Sequence, residues 1–337
     1  MKRSSTLLSL FLLVVFLIGG GCSRSPKKPT AETPPPLTGK ILTVYTIDVG
    51  QGDSLLIVTP DRKTVLIDAG LNKAGERVVA FLREKGISTI DLFVASHPHA
   101  DHIGGVRDVL NAVTVKNVLD SGQEHPTVTY TKMLEMVKEK VGKITVAKAG
   151  QKFNLDNGIT LSVLGPRLPW LTNVSGSEIN ANSVILRLDY GKFSMLFTGD
   201  SEDETEGRLI EDGANLKVSV LKVAHHGSRY ATKDNFLRRV QPEAAVVSCG
   251  IDNDYGHPNQ STLDRLRALG VNLHRTDLEG DIAIASNGEQ FQVSGSHPPT
   301  AEIWTGRTSK SGDDSGSGDL FNNTPAGKKA KRAVLGR

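Results

Sequence analysis

The chain predicts a mixed α/β (α+β) fold, with helices packed outside mixed β-sheet. Three observations carry this. Short β-rich runs recur throughout residues 39–295. The first of them, Ile41–Val49, Ser54–Val58 and Thr64–Ile67, are separated only by tight turns, one of them around Pro60-Asp61, so they pair as hairpins. Later runs alternate with stretches of helical spacing, so a purely parallel or purely antiparallel sheet does not fit. No internal repeat of 20–50 residues is visible.

The elements follow in chain order. Lys2 and Arg3 precede an apolar run from Leu7 to Ile18, broken only by Ser9, and Gly19-Gly20-Gly21-Cys22 comes next. A charged start, an apolar centre and small residues before a cleavage point predict a secretory signal over residues 1–22. The run falls short of the about 20 residues that span a bilayer. Cys22 sits where a bacterial lipoprotein signal places its lipid-modified cysteine, although Gly19 stands where such signals usually carry Leu. The expectation is an exported protein, lipid-anchored through Cys22 to the outer face of the bacterial cell membrane; plain secretion is the alternative. Residues 23–38 are rich in Pro and form an extended linker.

The domain then occupies residues 39–295. Lys73–Glu84 predicts a helix whose apolar stripe is Val78, Val79, Phe81 and Leu82. Asp91–Ala95 is a short buried strand, and further strands are expected at Leu161–Leu164, Ser183–Leu188, Phe193–Phe197, Val218–Val223 and Ala244–Val247. Helices are expected at Tyr130–Lys140, Glu202–Glu211, Asp234–Val240 and Ser261–Leu269, with closing strands at Val271–His274 and Asp281–Ala285. From Ser296 the texture turns polar, and residues 296–337 predict a disordered tail with a basic end, Lys328-Lys329-Ala330-Lys331-Arg332, read as a solvated terminus.

Composition narrows the function. With 38% hydrophobic and 23% charged residues, full-length disorder and a fibrous repeat are excluded. A net charge of +3 is too balanced for a global nucleic-acid footprint, and 5% aromatic residues argue against a broad base-stacking platform. Two cysteines, Cys22 and Cys249, supply neither a disulfide framework nor a cysteine-based zinc site.

The strongest chemical signal is Ser96-His97-Pro98-His99-Ala100-Asp101-His102-Ile103-Gly104-Gly105, directly after the strand ending at Ala95. Three imidazoles and a carboxylate within six residues form a metal-ligand set, since His suits borderline metals and Asp adds a hard oxygen. In a turn leaving a strand, side chains can converge on two adjacent centres, His97 with His99 on one and Asp101 with His102 on the other. A His-rich surface loop would be the plainer reading, but a buried strand runs straight into this segment.

His-x-His-x-Asp-His is the signature of the metallo-β-lactamase fold superfamily, and residues 39–295 resemble it. The match extends to Ile47-Asp48-Val49-Gly50-Gln51-Gly52-Asp53-Ser54, Leu66-Ile67-Asp68-Ala69-Gly70, Phe197-Thr198-Gly199-Asp200, Ala224-His225-His226-Gly227-Ser228 and Tyr255-Gly256-His257-Pro258. Together these segments resemble the hydrolase domain of ComEC-type competence proteins, which take part in DNA internalisation. The membrane channel of such proteins has no counterpart here, so a stand-alone relative is expected.

The resemblance implies a four-layer αββα sandwich with a metal site at one sheet edge. It implies His97, His99, Asp101, His102, Asp200 and His225 as ligands of one or two Zn²⁺ or Mn²⁺ ions, His/Asp sites accepting either. Asp200 is the bridging ligand, following an apolar strand that would hold it rigid; an N-cap for the next helix is its alternative. Neighbouring residues of an extended chain face opposite ways, so only one of His225 and His226 is expected to bind metal. His225 is favoured, leaving His226 either behind the ligands or facing substrate, with Gly227 and Ser228 as donors to a phosphate oxygen. Many family members place a further His between the first motif and Asp200. Only His125 lies in that interval, in a segment that does not match, and Asn182 in Glu178-Ile179-Asn180-Ala181-Asn182-Ser183 stands there instead, as a weak oxygen ligand, a holder of water or a substrate-binding residue. Asp101 and His257 are the expected catalytic residues, Asp101 holding or accepting the proton of a metal-activated water and His257 acting as general acid or phosphate contact. Asp68 is expected to orient a ligand His from behind. Asp48 either does the same or only shapes its Gly-rich turn.

The implied function is metal-dependent hydrolysis of a phosphodiester, with nucleic acid as partner, the membrane as anchor through Cys22, and no protein partner. The cations Lys222, Arg229, Lys233, Arg238 and Arg239 near the last motif fit that reading and equally a solvated helix face. Hydrolysis of an ester, thioester, lactone or lactam by the same fold is the alternative, and a non-catalytic surface protein that binds nucleic acid or metal is another.

Overall fold

The computed structural model of the protein describes residues 36–156 and 158–310. The expected signal peptide, Cys22, most of the linker and the basic end at 328–332 lie outside the described residues. Among the described residues, two large sheets form the centre. The first runs Phe291–Gly295, Ile282–Ser286, Leu42–Thr46, Leu55–Val58, Thr64–Ile67, Leu92–Ala95, Val118–Asp120, Ile144–Val146 in spatial order. The second runs Asn272–Arg275, Ala244–Val247, Val220–Lys222, Phe193–Phe197, Ile185–Tyr190, Ile159–Gly165, Lys152–Asp156. Each sheet is mixed. The hairpin strands pair antiparallel, whereas Thr64–Ile67 with Leu92–Ala95, and Phe193–Phe197 with Val220–Lys222, pair parallel.

The layering follows from side-chain alternation along strands buried on both faces. Leu55, Ile57, Val65, Ile67, Leu92 and Val94 point inward and meet Leu186, Leu188, Met195, Phe197 and Val246 of the second sheet. Leu56, Leu66 and Phe93 point the other way, against Val78, Phe81 and Leu82 of the helix Gly75–Glu84 and Met133, Leu134 and Val137 of the helix Val128–Lys140. On the far side, Ile185, Leu196, Leu221 and Val247 pack under Leu209, Phe236, Leu237, Leu263 and Leu266 of three more helices. The result is a helix–sheet–sheet–helix sandwich, as the family resemblance implies.

One boundary needs correction. The domain does not stop at 295, and residues 296–310 are not a free tail. Ile303 and Trp304 pack against the outer core, and the fully buried Arg275 donates to the carbonyls of Ile303 and Thr305 at 2.9 and 2.6 Å. Arg307 adds an ion pair to Asp277. Polar composition concealed this packing because the anchoring is by hydrogen bond and ion pair, with few apolar residues.

Candidate metal centre

The centre lies beyond the carboxyl ends of the parallel strands, where α/β sheets open crevices for ligands. Asp68 follows Thr64–Ile67, the His97–His102 segment follows Leu92–Ala95, Asp200 follows Phe193–Phe197, and His225-His226 follow Val220–Lys222. The chain leaves Ala95 in a turn and winds into a short helix, Ala100–Ile103, which carries Asp101 and His102 in a single turn.

One atom organises the site. Asp200 Oδ2 lies 3.2 Å from His102 Nε2, 3.4 Å from His226 Nε2, 3.7 Å from His225 Nε2 and 3.9 Å from His97 Nε2. Asp101 Oδ2 is 3.4 Å from His226 Nε2 and 3.8 Å from His102 Nε2. Asp101, His102, Asp200 and His226 each offer one donor atom, all within 4.8 Å of one another. Both oxygens of Asp101 and of Asp200, and the Nε2 atoms of His102 and His226, are buried without a hydrogen-bond partner. Buried polar atoms without partners are costly, and a converging set of oxygen and imidazole donors fits a divalent cation. His97 Nε2 and His99 Nδ1, 3.1 Å apart, form a second pair on the His97 side of Asp200. Asp200 therefore stands between two donor groups.

Behind the ligands sit carboxylates that fix them. Asp68 accepts from the Ser96 amide at 2.8 Å and from the Ser96 hydroxyl at 2.6 Å, and its Oδ2 lies 2.8 Å from His102 Nδ1. That contact sets which His102 nitrogen faces the centre. His226 Nδ1 lies 2.9 Å from the Ser248 carbonyl and 3.4 Å from Asp53 Oδ1. Asp53 in turn pairs with Lys222 at 2.5 Å, both side chains 1% exposed. The sequence offers Lys222 either as a cation near the substrate or as part of a solvated face, and the structure buries it instead. The available signal was its place within the apolar strand run Val218–Val223, since a charge in a buried strand needs an internal partner.

The structure places the remaining expected residues as follows. His226 joins Asp101, His102 and Asp200 in one donor group, and His225 Nε2 also faces Asp200 Oδ2, at 3.7 Å. The face-alternation argument failed because the segment is not extended: His225 and His226 have φ of 48° and 53°, in the left-handed region, so both rings turn inward. His225 Nδ1 lies 3.3 Å from Glu202 Oε1. Asn182 is buried and spends its side chain on the backbone. Its amide bonds Leu171 N and O at 2.9 Å and Glu178 O at 2.8 Å, pinning the preceding loop. Ser228, fully buried, spends its amide on His225 O and accepts from Tyr230 N, so it shapes the turn along with Gly227. Asp48 accepts from Gly50 N, and its own amide binds Asp281; it touches no ligand. His125, which matches no motif, comes beside His99 with ring centroids 5.4 Å apart. His257 is 1% exposed, with its ring 5.3 Å from that of His225 and both ring nitrogens without hydrogen-bond partners.

The electrostatics divide the histidines. Burial holds His99 neutral, with its pKa lowered to about 4, and burial and the His102 charge push His97 well below the usual range. Burial works against charge on His102 and His226 too, but Asp200 in both cases, with Asp101 and Asp68 or Asp53, raises them well above it. Asp200 would be raised by burial, yet the charges of His102, His226 and His225 hold it far below the usual carboxylate range. In the metal-free protein, protons on His102 and His226 thus neutralise the carboxylates whose charge a cation would otherwise balance.

A family model described as the metallo-beta-lactamase superfamily matches residues 47–251. The chain belongs to that superfamily. Its site has the donor set of a metal-dependent hydrolase of this fold. The chain is 32% identical over 253 residues to ComE operon protein 3 of Bacillus subtilis, covering 70% of this chain and 32% of that protein. It is 33% identical over 268 residues to competence protein ComA of Neisseria gonorrhoeae, covering 79% of this chain and 34% of that protein. The chain thus spans about a third of the length of the curated relatives it matches. Among solved structures, a metal-dependent hydrolase from Parabacteroides distasonis is similar at 15% identity and a TM-score of 0.45, over 71% of this chain and 94% of that one. Among the described residues no helix is long and apolar enough to cross a membrane.

Proposed function

We propose that this superfamily member hydrolyses phosphodiesters, with nucleic acid as its substrate class. The observation that carries the reading is the placement of Asp200 Oδ2 among four histidines with His257 beside them. The likeness to competence proteins over most of this chain supports the choice of a nucleic acid.

His97 and His99 would hold one cation, Asp101, His102 and His226 a second, and Asp200 would face both. Zn²⁺ or Mn²⁺ bound there supplies Lewis acidity and an activated water at neutral pH. The remaining work falls to the chain. Asp101 has two buried carboxylate oxygens without hydrogen-bond partners, and although burial opposes its charge, His102 and His226 hold it ionised, well below the usual carboxylate range, so it would hold the activated water by accepting its hydrogen bond. His257 is kept neutral by burial first and by His225 and His226 second. On this reading it acts as an N–H donor to a substrate oxygen rather than as a cationic acid. Asp68 and the Asp53–Lys222 pair hold His102 and His226 in the tautomers that aim Nε2 at the centre.

We further propose that the protein is exported and anchored by a lipid on Cys22. Metabolic labelling with a palmitate analogue should mark the chain and not its Cys22→Ala variant; equal labelling of both contradicts the anchor.

The substrate reading is tested by loading the full chain with Zn²⁺ or Mn²⁺ and assaying bis(p-nitrophenyl) phosphate and single-stranded DNA beside a β-lactam and a thioester. Metal-dependent phosphodiester cleavage that Asp101→Ala abolishes, with DNA binding that weakens as salt rises, is the expected result. Turnover of the lactam or thioester alone transfers the site to the ester-hydrolase reading.

A further inference from the structure

We infer that residues 303–310 belong to the active site, as a strap that sets the position of His257, with Arg307 as its positioning residue. The inference rests on the reading of His257 as a substrate contact, and the strap lies beyond the residues matched by the family model.

His257 has no hydrogen bond on either ring nitrogen, and its ring is held by packing alone, stacked on Tyr255 of its own loop at 5.7 Å and beside His225 at 5.3 Å. Its position therefore depends on the backbone of that loop. From within, Asn253 clamps that loop: its Oδ1 accepts from the amides of Tyr255 and His257, and its Nδ2 donates to the carbonyls of Gly250 and His257. From outside, the strap closes over it. Arg307 N donates to Pro258 O at 2.9 Å, Lys310 N to Asp254 O at 3.2 Å, and Gly306 N to Gln260 Oε1 at 2.8 Å. A Cβ on Gly256 would meet Ser309 N at 2.5 Å, so the two segments are in full contact.

The strap is itself bolted to the core. Arg275 holds the carbonyls of Ile303 and Thr305, and its guanidinium pairs with Asp277, 0% exposed. Arg307 donates to the same carboxylate, its Nε to Asp277 Oδ2 at 3.0 Å, the oxygen that also accepts from Arg275. Asp277 thus ties the strap to the strand end that carries Arg275. A ring without hydrogen bonds can shift when its loop relaxes, and a misplacement of about 1 Å costs roughly 100-fold in rate.

The test uses the full metal-loaded chain and the variants Arg307→Ala, Arg307→Lys and Gly306→Val, whose new side chain would meet Gln260 N and Pro258 O. Each is made alone and with His257→Ala. Metal content, kcat and KM, and the imidazole NMR signals of His257 are measured. Arg307→Ala and Gly306→Val should lower kcat about tenfold, a fraction of the loss above, at unchanged metal content. They should shift the His257 signals and cost nothing further in the His257→Ala background, while Arg307→Lys restores most of kcat. An equal loss with and without His257, or unmoved His257 signals, overturns the inference. Were His257→Ala itself to leave turnover intact, the role given to His257 would fall, while the NMR shift would still decide whether the strap positions it.

Discussion

His226 Nε2 lies 3.4 Å from Asp200 Oδ2, while His225, its neighbour in the chain, turns Nδ1 towards Glu202. His225 Nε2 lies 3.7 Å from the same oxygen, and His226 alone of the two stands in the close group with Asp101 and His102. His226→Ala should remove one equivalent of tightly held metal and lower turnover by at least about 100-fold, the scale of losing a primary interaction at such a centre. His225→Ala should retain more metal. Metal content after dialysis checks the order, and the reverse order would restore His225 as the ligand.

The buried pair Lys222–Asp53 makes a second prediction. Removing one partner leaves an uncompensated buried charge, so Lys222→Met should destabilise the fold by about 3–5 kcal/mol. The double variant Lys222→Met/Asp53→Asn should recover much of that stability but still bind metal about 10–100-fold more weakly, because His226 loses its supporting carboxylate. Denaturant unfolding and metal titration separate the two effects. A double variant with unchanged metal affinity would show that Asp53 does not support the centre.

Protons compete for the ligands. His102 and His226 are raised well above 6.5 in the metal-free protein, by Asp200 chiefly, against the opposing effect of burial. Binding must release those protons, so apparent metal affinity should rise with pH from 6 through 8. Competition titrations with a chelator of known pH dependence measure this, and a flat profile would contradict the assigned donors.

How far the sequence reveals the molecule depends on which interactions are local. The helix Gly75–Glu84 and the strand Leu92–Ala95 are visible because their apolar residues follow 3.6- and 2-residue periods or fill a short run. Strands such as Lys152–Asp156 and Phe291–Gly295, at sheet edges, carry only two alternating apolar residues each, Phe153 with Leu155 and Phe291 with Val293, too short a mark to set them apart from loop. The His97–His102 cluster is legible because its ligands are contiguous. The parts played by His226, Asn182 and Lys222 are not, because each depends on a backbone turn or a partner far along the chain. The packing of residues 303–310 was hidden for the same reason, since its anchor is the buried Arg275.

Glu206 offers a test of buried charge away from the centre. It is buried beneath the loop that follows His226, where it accepts from the amides of Thr232 and Lys233, and burial raises its carboxyl to about 8 from 4.5. A raised folded-state value means that its contribution to stability is fully present below pH 4.5 and is lost as pH rises through about 8. Relative to Glu206→Gln, the wild type should therefore lose melting temperature between pH 5 and pH 8.5. A constant difference across that range would show that Glu206 stays ionised.

The most direct test pairs metal content with cleavage of single-stranded DNA on the same preparations of wild type and Asp200→Asn. Asp200 faces His97, His102, His225 and His226 together, so the account predicts that the variant loses bound Zn²⁺ or Mn²⁺ and DNA cleavage in step, while the wild type cleaves only when loaded. A variant that keeps its metal and cleaves at the wild-type rate, or a loaded wild type that leaves DNA intact, would contradict it.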